Sequence, residues 1–184
     1  GGNVGIGASS PTFGSGSGLE VSRSGTATVR VERTGSTASS GEFFAGNGKV
    51  VLSSISNNHL EFRTNNTEAM RIDSSGNLLI GGGTSPRTLG FGDTRTQIEG
   101  ISATTASMSI VRNTASADPP YLIFGKSRGG ALASSTAVQD GDYLGAIRFN
   151  GADGTDAGNV GAQIHAEVDG TPGANDMPGA LVFS

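Results

Sequence analysis

Apolar and polar residues alternate in short runs along most of the chain. Examples are TVRVER, HLEFR, AMRID, YLGAIRF and AQIHAEV, and Gly, Asn, Asp or Ser residues lie close to their ends. Because successive side chains of a β-strand point to opposite faces, this period of two predicts short strands joined by turns. No convincing helix is predicted, since residues 104–107 are too short a run and residues 131–138 lack an apolar stripe. We therefore predict an all-β protein of repeated short antiparallel strands and hairpins.

The alternation and the turn residues together place the strands. Asn47-Gly48 predicts a tight hairpin turn, because Asn-Gly readily adopts positive φ, and turns are also predicted at residues 65–67 and 74–77. Val29 and Val31 are expected to face inward. The predicted strands are residues 2–7, 19–22, 26–33, 42–45, 49–53, 60–63, 69–73, 78–80, 97–101, 108–111, 121–124, 143–149, 160–168 and 180–183.

An internal repeat divides the chain. GNVGIG at residues 2–7 matches GNLLIG at residues 76–81, and each copy is followed by a Ser-Pro pair. Three further matches join residues 31–36 with 111–116, Phe44 with Phe124, and 60–63 with 181–184. We predict a first module at 1–75 and a second, insertion-containing module at 76–184 that is truncated at its C-terminal end. The parent chain is expected to continue past Ser184 into another strand like residues 69–73.

The composition leaves little material for a core within one chain. The 184 residues are 34% hydrophobic and include 31 Gly, no Trp and no Cys, so disulfides cannot supply stability and oligomerisation is expected. The glycines lack the strict period of collagen. A net charge of −4 without a basic cluster argues against nucleic-acid binding. No run approaches the ~18 apolar residues of a membrane span, so no membrane insertion is predicted.

One loop is a candidate metal site. In NGADGTDAGN, residues 150–159, Asp153 and Asp156 could offer oxygen ligands to calcium. The loop lacks the full acidic pattern and the terminal Glu of an EF-hand, and the same residues are common in plain polar turns. We therefore favour a hairpin loop and expect no required metal or cofactor.

No catalytic constellation is predicted. His165 shares a strand face with Gln163 and Glu167 and is expected to be solvated. GSGSG at residues 14–18 lacks the flanking strand of a nucleophile elbow and is interpreted as a linker. The carboxylate pair Asp140 and Asp142 lies in the turn-like sequence QDGD. The protein is not expected to be an enzyme.

Several of these motifs occur together in one known family. GNVGIG with its Ser-Pro turn, and MRIDSSGN at residues 70–77, resemble the repeating shaft of bacteriophage tail fibres and tailspikes. The stretch from residue 141 to 170, followed by GALVFS at 179–184, looks like a module of fibres from marine phages, particularly those of cyanobacteria. Leu79 departs from the pattern, because GNVGIG has Gly there. The resemblance implies an elongated, intertwined homotrimeric β-rod in the tail fibre of a virion.

The apolar side chains of the repeated strands are expected to meet at a three-chain interface. On the opposite face Arg71 and Asp73 are expected to be exposed and to pair with Glu61 and Arg63. The residues predicted to form the trimer core are Val4, Ile6, Met70, Ile72, Leu78 and Ile80.

The function expected from the resemblance is structural support of host attachment. The implied partners are other copies of the chain, further tail-fibre or baseplate proteins and, through the fibre, a host glycan or receptor. Two alternatives stay open. Loops from residues 127–159 could themselves bind a host glycan or receptor, or the chain could belong to a bacterial extracellular adhesin or filament.

Overall fold

A computed structural model describes residues 4–6, 19–22, 24–34, 39–83, 86–89 and 92–184. These residues form strands and turns without a helix, which confirms the all-β prediction. The strands are β1 Val4–Ile6, β2 Leu19–Val21, β3 Ala27–Arg33, β4 Ser39–Gly46, β5 Lys49–Ser54, β6 Leu60–Thr64, β7 Thr67–Ile72, β8 Leu78–Ile80, β9 Thr96–Ile98, β10 Tyr143–Gly151, β11 Asn159–Val168 and β12 Gly179–Phe183.

The chain divides into two compact units. The first comprises residues 1–85 and 95–99, and the second comprises residues 86–94 and 100–184. Strands β8 and β9 open the second sequence copy but belong to the first unit, because β8 pairs with β7. The first unit therefore includes the point at which the sequence repeat begins again.

Strands β3, β4 and β5 form the first sheet, an antiparallel meander. The turn between β4 and β5 is the predicted one. Gly46 pairs with Lys49, and Asn47 and Gly48 both have positive φ, 51° and 73°. Positive φ at both central residues is what a two-residue hairpin of this hand requires.

Strands β6 to β9 form the second sheet, in that order. Thr64 pairs with Thr67 across Asn65 and Asn66, both of which have positive φ. Met70 pairs with Phe62 on one side and with Ile80 on the other, as expected for antiparallel neighbours. The last pair, β8 with β9, is parallel.

The sequence repeat has a structural counterpart in two parallel pairs. In the first copy β1 pairs with β2 in parallel, and in the second copy β8 pairs with β9 in parallel. The first of these strands carries the GNVGIG or GNLLIG motif in each case. A two-residue hairpin cannot join parallel strands, so this arrangement differs from the hairpins of the other sheets.

Strands β10, β11 and β12 form the third sheet, which lies in the second unit. All its pairs are antiparallel, and β10 and β11 are the longest strands of the described residues. Gly145, Ile147 and Phe149 share one face, as predicted, and stand opposite Ala166, Ile164 and Ala162.

Two predicted strands of the second copy are wrong. Residues 108–111 and 121–124 form no strand, although their counterparts in the first copy lie in β3 and β4. Alternation shows that a segment can present one apolar face, but a strand also needs a neighbouring backbone with which to pair. That neighbour is missing in the described part of this single chain.

The core of the described residues is small. Its buried apolar side chains are Leu79, Val138 and Val168. Val29 and Val31 share a face, as predicted, but the expectation that they point inward is wrong for the single chain, where Val31 is 74% exposed. Much of the apolar surface that the strands collect is left open to solvent.

Candidate assembly surfaces

The first sheet presents an open apolar face. Val29, Phe43 and Leu52 stand side by side across β3, β4 and β5, and Val31 and Val50 extend the same face. Directly opposite residues in an antiparallel pair point to the same side, so these side chains form one surface. All five are exposed in the single chain. We call this surface the first apolar face.

The second sheet carries the predicted trimer-core residues on one side. Met70 stands opposite Ile80, and Ile72 stands opposite Leu78. Met70, Leu78 and Ile80 are half-buried, whereas Ile72 is exposed. The second apolar face consists of Leu60, Phe62, Met70, Ile72, Leu78, Ile80 and Ile98.

The two remaining predicted core residues lie in β1. Ile6 is 58% exposed and stands opposite Val21 of the parallel partner strand. The side chain of Val4 lies outside the described residues. The structure thus brings four of the six predicted residues together, and it leaves Ile6 on a separate two-stranded sheet.

The other side of the second sheet is polar but not solvated as predicted. Arg71 is only 9% exposed, and its guanidinium pairs with Glu68, which raises the pKa of Arg71. Glu61 accepts a hydrogen bond from Arg63 Nε at 2.6 Å, and this contact lowers the pKa of Glu61. Glu61 and Arg71 do stand opposite each other, and the charge of Glu61 adds to the rise in the pKa of Arg71. The close ion pairs of both residues are nevertheless with partners along their own strands.

Asp73 organises the turn that leads into the repeated strand. One carboxylate oxygen accepts hydrogen bonds from the backbone N–H of Asn77 at 2.8 Å and of Ser75 at 2.9 Å, and the other accepts one from Asn77 Nδ2. These donors favour the charged carboxylate and lower the pKa of Asp73. Asp73 therefore belongs to the turn rather than to an exposed ion pair.

The third sheet also has an open apolar face. Ile147 stands opposite Ile164, which stands opposite Phe183. Gly145, Ala166 and Leu181 form the next row. The third apolar face consists of Gly145, Ile147, Phe149, Ala162, Ile164, Ala166, Leu181 and Phe183. None of these eight residues carries a charge.

The opposite side of the third sheet holds a buried histidine. His165 is 4% exposed, and the Tyr143 ring stacks on it with centroids 4.1 Å apart. Gln163 Nε2 lies 3.4 Å from His165 Nδ1, and Glu167 Oε2 lies 3.5 Å from Nε2. The prediction of a shared face with Gln163 and Glu167 is confirmed, but the expected solvation is wrong because the tyrosine covers the ring.

The candidate carboxylates of QDGD hold a loop to the third sheet. Asp142 accepts two hydrogen bonds from the Arg128 guanidinium, at 2.7 and 2.8 Å, and one from the backbone N–H of Gln139. The Arg128 contact is the main reason that the pKa of Asp142 falls far below its ordinary value. Asp140 accepts a hydrogen bond from the N–H of Gly170 at 2.7 Å. Both carboxylates are thus engaged with the protein.

The candidate calcium loop uses its carboxylates internally. Asp153 accepts hydrogen bonds from the N–H groups of Thr155 and Asp156 and from Asn159 Nδ2, and these contacts lower its pKa. Asp156 accepts one from the N–H of Gly158 at 2.8 Å. Among the described residues no group of three or more His, Cys, Asp or Glu side chains is placed to hold a metal ion.

Sequence reasoning missed most of the open apolar surface. It assigned the shared core to the repeated turn-strand, whereas the first and third sheets present faces of comparable character. The signal was present in the alternation of β3, β10 and β12. Alternation predicts that a strand has an apolar face. It does not predict whether another segment or another chain packs over that face.

Comparison of the sequence with protein-family models and with curated proteins finds no match. In the part of the chain that the structure describes, no helix has the length and apolar character needed to cross a membrane.

Proposed function

We propose that this chain is a structural shaft segment of a bacteriophage tail fibre, that it assembles as an elongated, intertwined homotrimer, and that it supports host attachment. One observation carries the proposal. Each of the three larger sheets collects apolar side chains on one face, and in the single chain many of them stay exposed. The sequence motifs that resemble fibre shafts supply the biological setting.

Burial of the open apolar faces would stabilise an assembled form. An apolar side chain of the size of Ile or Phe contributes roughly 1.5–3 kcal/mol when it is fully buried. Soluble monomers rarely expose large contiguous apolar patches, and the single chain carries three separate faces whose large apolar side chains are mostly exposed. A symmetric homotrimer would cover each face with surface from a neighbouring copy around a three-fold axis. The stability that the small core cannot supply then comes from assembly.

One parallel strand pair occurs in each sequence copy, and this repetition supports the proposed role in an elongated rod. The β1–β2 pair and the β8–β9 pair place the same motif in the same local arrangement. Repeat proteins extend by adding such units, each of which depends on its neighbours to bury its apolar face. A fibre that must hold a tip away from a virion gains length in this way.

The oligomeric state tests the assembly. The protein should have the mass of three chains in native mass spectrometry and in sedimentation, and it should appear as short rods by electron microscopy. A monomer at micromolar concentration would contradict the proposal.

The biological setting requires a separate measurement. Antibodies raised against the protein should label tail appendages on purified virions of the source phage. Labelling of a bacterial surface instead would favour the adhesin alternative. Binding of the isolated trimer to host cells would assign receptor recognition to this segment itself.

A further inference from the structure

Residues 108–125 of the second unit have no strand partner in the described part of the chain. From Met108 to Gly125, no residue makes a backbone–backbone hydrogen bond within the described part of the chain. Its large apolar side chains are exposed, with Met108 at 67% and Ile123 at 81%. An apolar stretch of this length without a partner is a candidate interaction element.

The sequence repeat assigns a pairing register to this segment. Val111 corresponds to Val31, and Phe124 corresponds to Phe44. In the first copy Thr28 stands opposite Phe44. The same register in the second copy would place Met108 opposite Phe124.

The adjacent residue pair on the same side of the sheet is charged in the first copy and apolar in the second. The first copy has Arg30 opposite Glu42. The equivalent pair in the second copy is Ile110 with Leu122. A hairpin in this register would therefore carry a fully apolar face made of Met108, Ile110, Leu122 and Phe124, which we call the hairpin face. Its first-copy counterpart is partly charged and suited to solvent.

One member of the hairpin face already contacts the third apolar face. A Cβ placed on Gly145 would lie 2.6 Å from Phe124 Cβ and 2.9 Å from its Cγ, so the phenyl group lies directly against the glycine backbone. Phe124, Ile147, Ile164 and Leu181 help to line an open pocket of about 310 Å³. Phe124 fills only one end of the apolar face.

We propose that residues 108–124 of one copy form a β-hairpin and that its hairpin face packs on the third apolar face of a neighbouring copy. The contact of Phe124 with Gly145 of its own chain is then exchanged for the equivalent contact on the neighbour. This inference rests on the trimeric assembly proposed above and identifies the partner of one of its surfaces. Neither surface carries a charge, so their contact would require no ion to lose its water. Every copy supplies one hairpin and one sheet face, which lets the contact close symmetrically.

A neighbouring copy fits better than the same chain as the partner. Phe124 already holds the segment at its own sheet, so distance does not prevent the rest of the segment from folding over that sheet. Leu122 and Met108 nevertheless stay exposed, and Phe183 at the other side of the sheet is 70% exposed. The own-chain contact therefore leaves both surfaces unsatisfied.

Cross-linking between two differently tagged chains tests the proposal, because the natural chain contains no cysteine. One chain carries Leu122→Cys, the other carries Phe183→Cys, and the two are co-expressed and treated with a short thiol-specific cross-linker. A product that contains both tags is expected. The matched control replaces Leu122→Cys with Ile123→Cys, which lies on the opposite side of the hairpin and should cross-link several-fold less.

The outcomes separate this inference from the proposed function. A trimer that gives no Leu122–Phe183 product, or equal yields at positions 122 and 123, overturns the hairpin contact while the shaft proposal stands. A chain that carries both cysteines and links only within itself overturns the exchange between copies. A monomeric protein overturns both proposals. Hydrogen exchange should also show protected amides at residues 108–111 and 121–124 in the trimer, and unprotected amides there would contradict the hairpin.

Discussion

At the scale of single residues, this protein depends on turn positions with unusual backbone conformations. Asn47, Gly48, Asn65 and Asn66 take positive φ, which sets the register of two hairpins. Most L-residues disfavour this region because Cβ approaches the following carbonyl oxygen. Asn and Gly are the residues that enter it most readily, so the turn chemistry was readable from the sequence.

Gly48→Ala should destabilise the first sheet. Gly48 has φ of 73° and open space around its Cα, so the penalty is conformational and amounts to about 1–2 kcal/mol. Urea unfolding of both proteins measures it. The matched control is Gly41→Ala in the same hairpin, where φ is not positive and the new Cβ would meet Ser53 O at 3.4 Å. Equal stabilities of the two variants would show that the turn conformation does not limit the fold.

Acid should weaken the attachment of the Asp142 loop. The folded pKa of Asp142 lies far below its ordinary value of 3.8, mainly because of Arg128, so the unfolded chain binds more protons once the pH falls below about 4. The stabilisation is thus present above that pH and is lost on further acidification. Asp142→Asn should be less stable than the natural protein at neutral pH, and the difference should shrink toward about pH 2. Thermal unfolding across this range checks it, and a constant difference would contradict the assignment.

At the scale of elements, each strand is decided by two separate conditions. Alternation provides an apolar face, and a neighbouring backbone provides hydrogen bonds. Strands β3, β4 and β5 meet both conditions within the chain, whereas residues 108–111 and 121–124 meet only the first. Pairing also decides whether a charged side chain on a strand is exposed. Arg71 of β7 is buried and pairs with Glu68.

The loop between β10 and β11 should not depend on divalent metal. Asp153 and Asp156 already accept hydrogen bonds from the loop backbone and Asn159, which supply what a turn needs. Thermal unfolding in excess chelator should match that in calcium to within the error of the measurement. A loss of many degrees on chelation that calcium restores would assign a metal to this loop.

At the scale of the whole molecule, assembly should decide stability. The described part of the chain buries few apolar side chains and leaves three apolar faces open. Its unfolding should therefore depend on protein concentration, as it does for obligate oligomers.

Ile80→Asp should prevent trimer formation or cause aggregation. Ile80 lies in the middle of the second apolar face, between Met70 and Ile98. A three-fold interface would bring three like charges together there and remove them from water. Sedimentation and native mass spectrometry give the result, and circular dichroism shows whether the strands persist. The control, Arg63→Ala, removes an exposed side chain from the other side of the sheet and should still assemble. Normal assembly of the Ile80→Asp protein would contradict a shared core at this face.

The alternating pattern and the turn residues were enough to predict most strands and the faces of their side chains. The turns at Asn47-Gly48 and at residues 65–67 are clear cases, since both depend on neighbours in sequence. The failures share a cause. Whether His165 is covered by Tyr143, or Arg71 is paired with Glu68, depends on side-chain reach and on contacts that alternation does not encode.

The sequence by itself determined the all-β class, the repeat, the tight turns and the sides on which apolar residues gather, because these follow from local conformational preference and the two-residue period of a strand. The tertiary structure decided which segments pair, that β8 joins the first unit, and that Phe124 packs on Gly145. Pairing and packing join residues far apart in the chain, so they depend on the backbones and surfaces that actually meet in space.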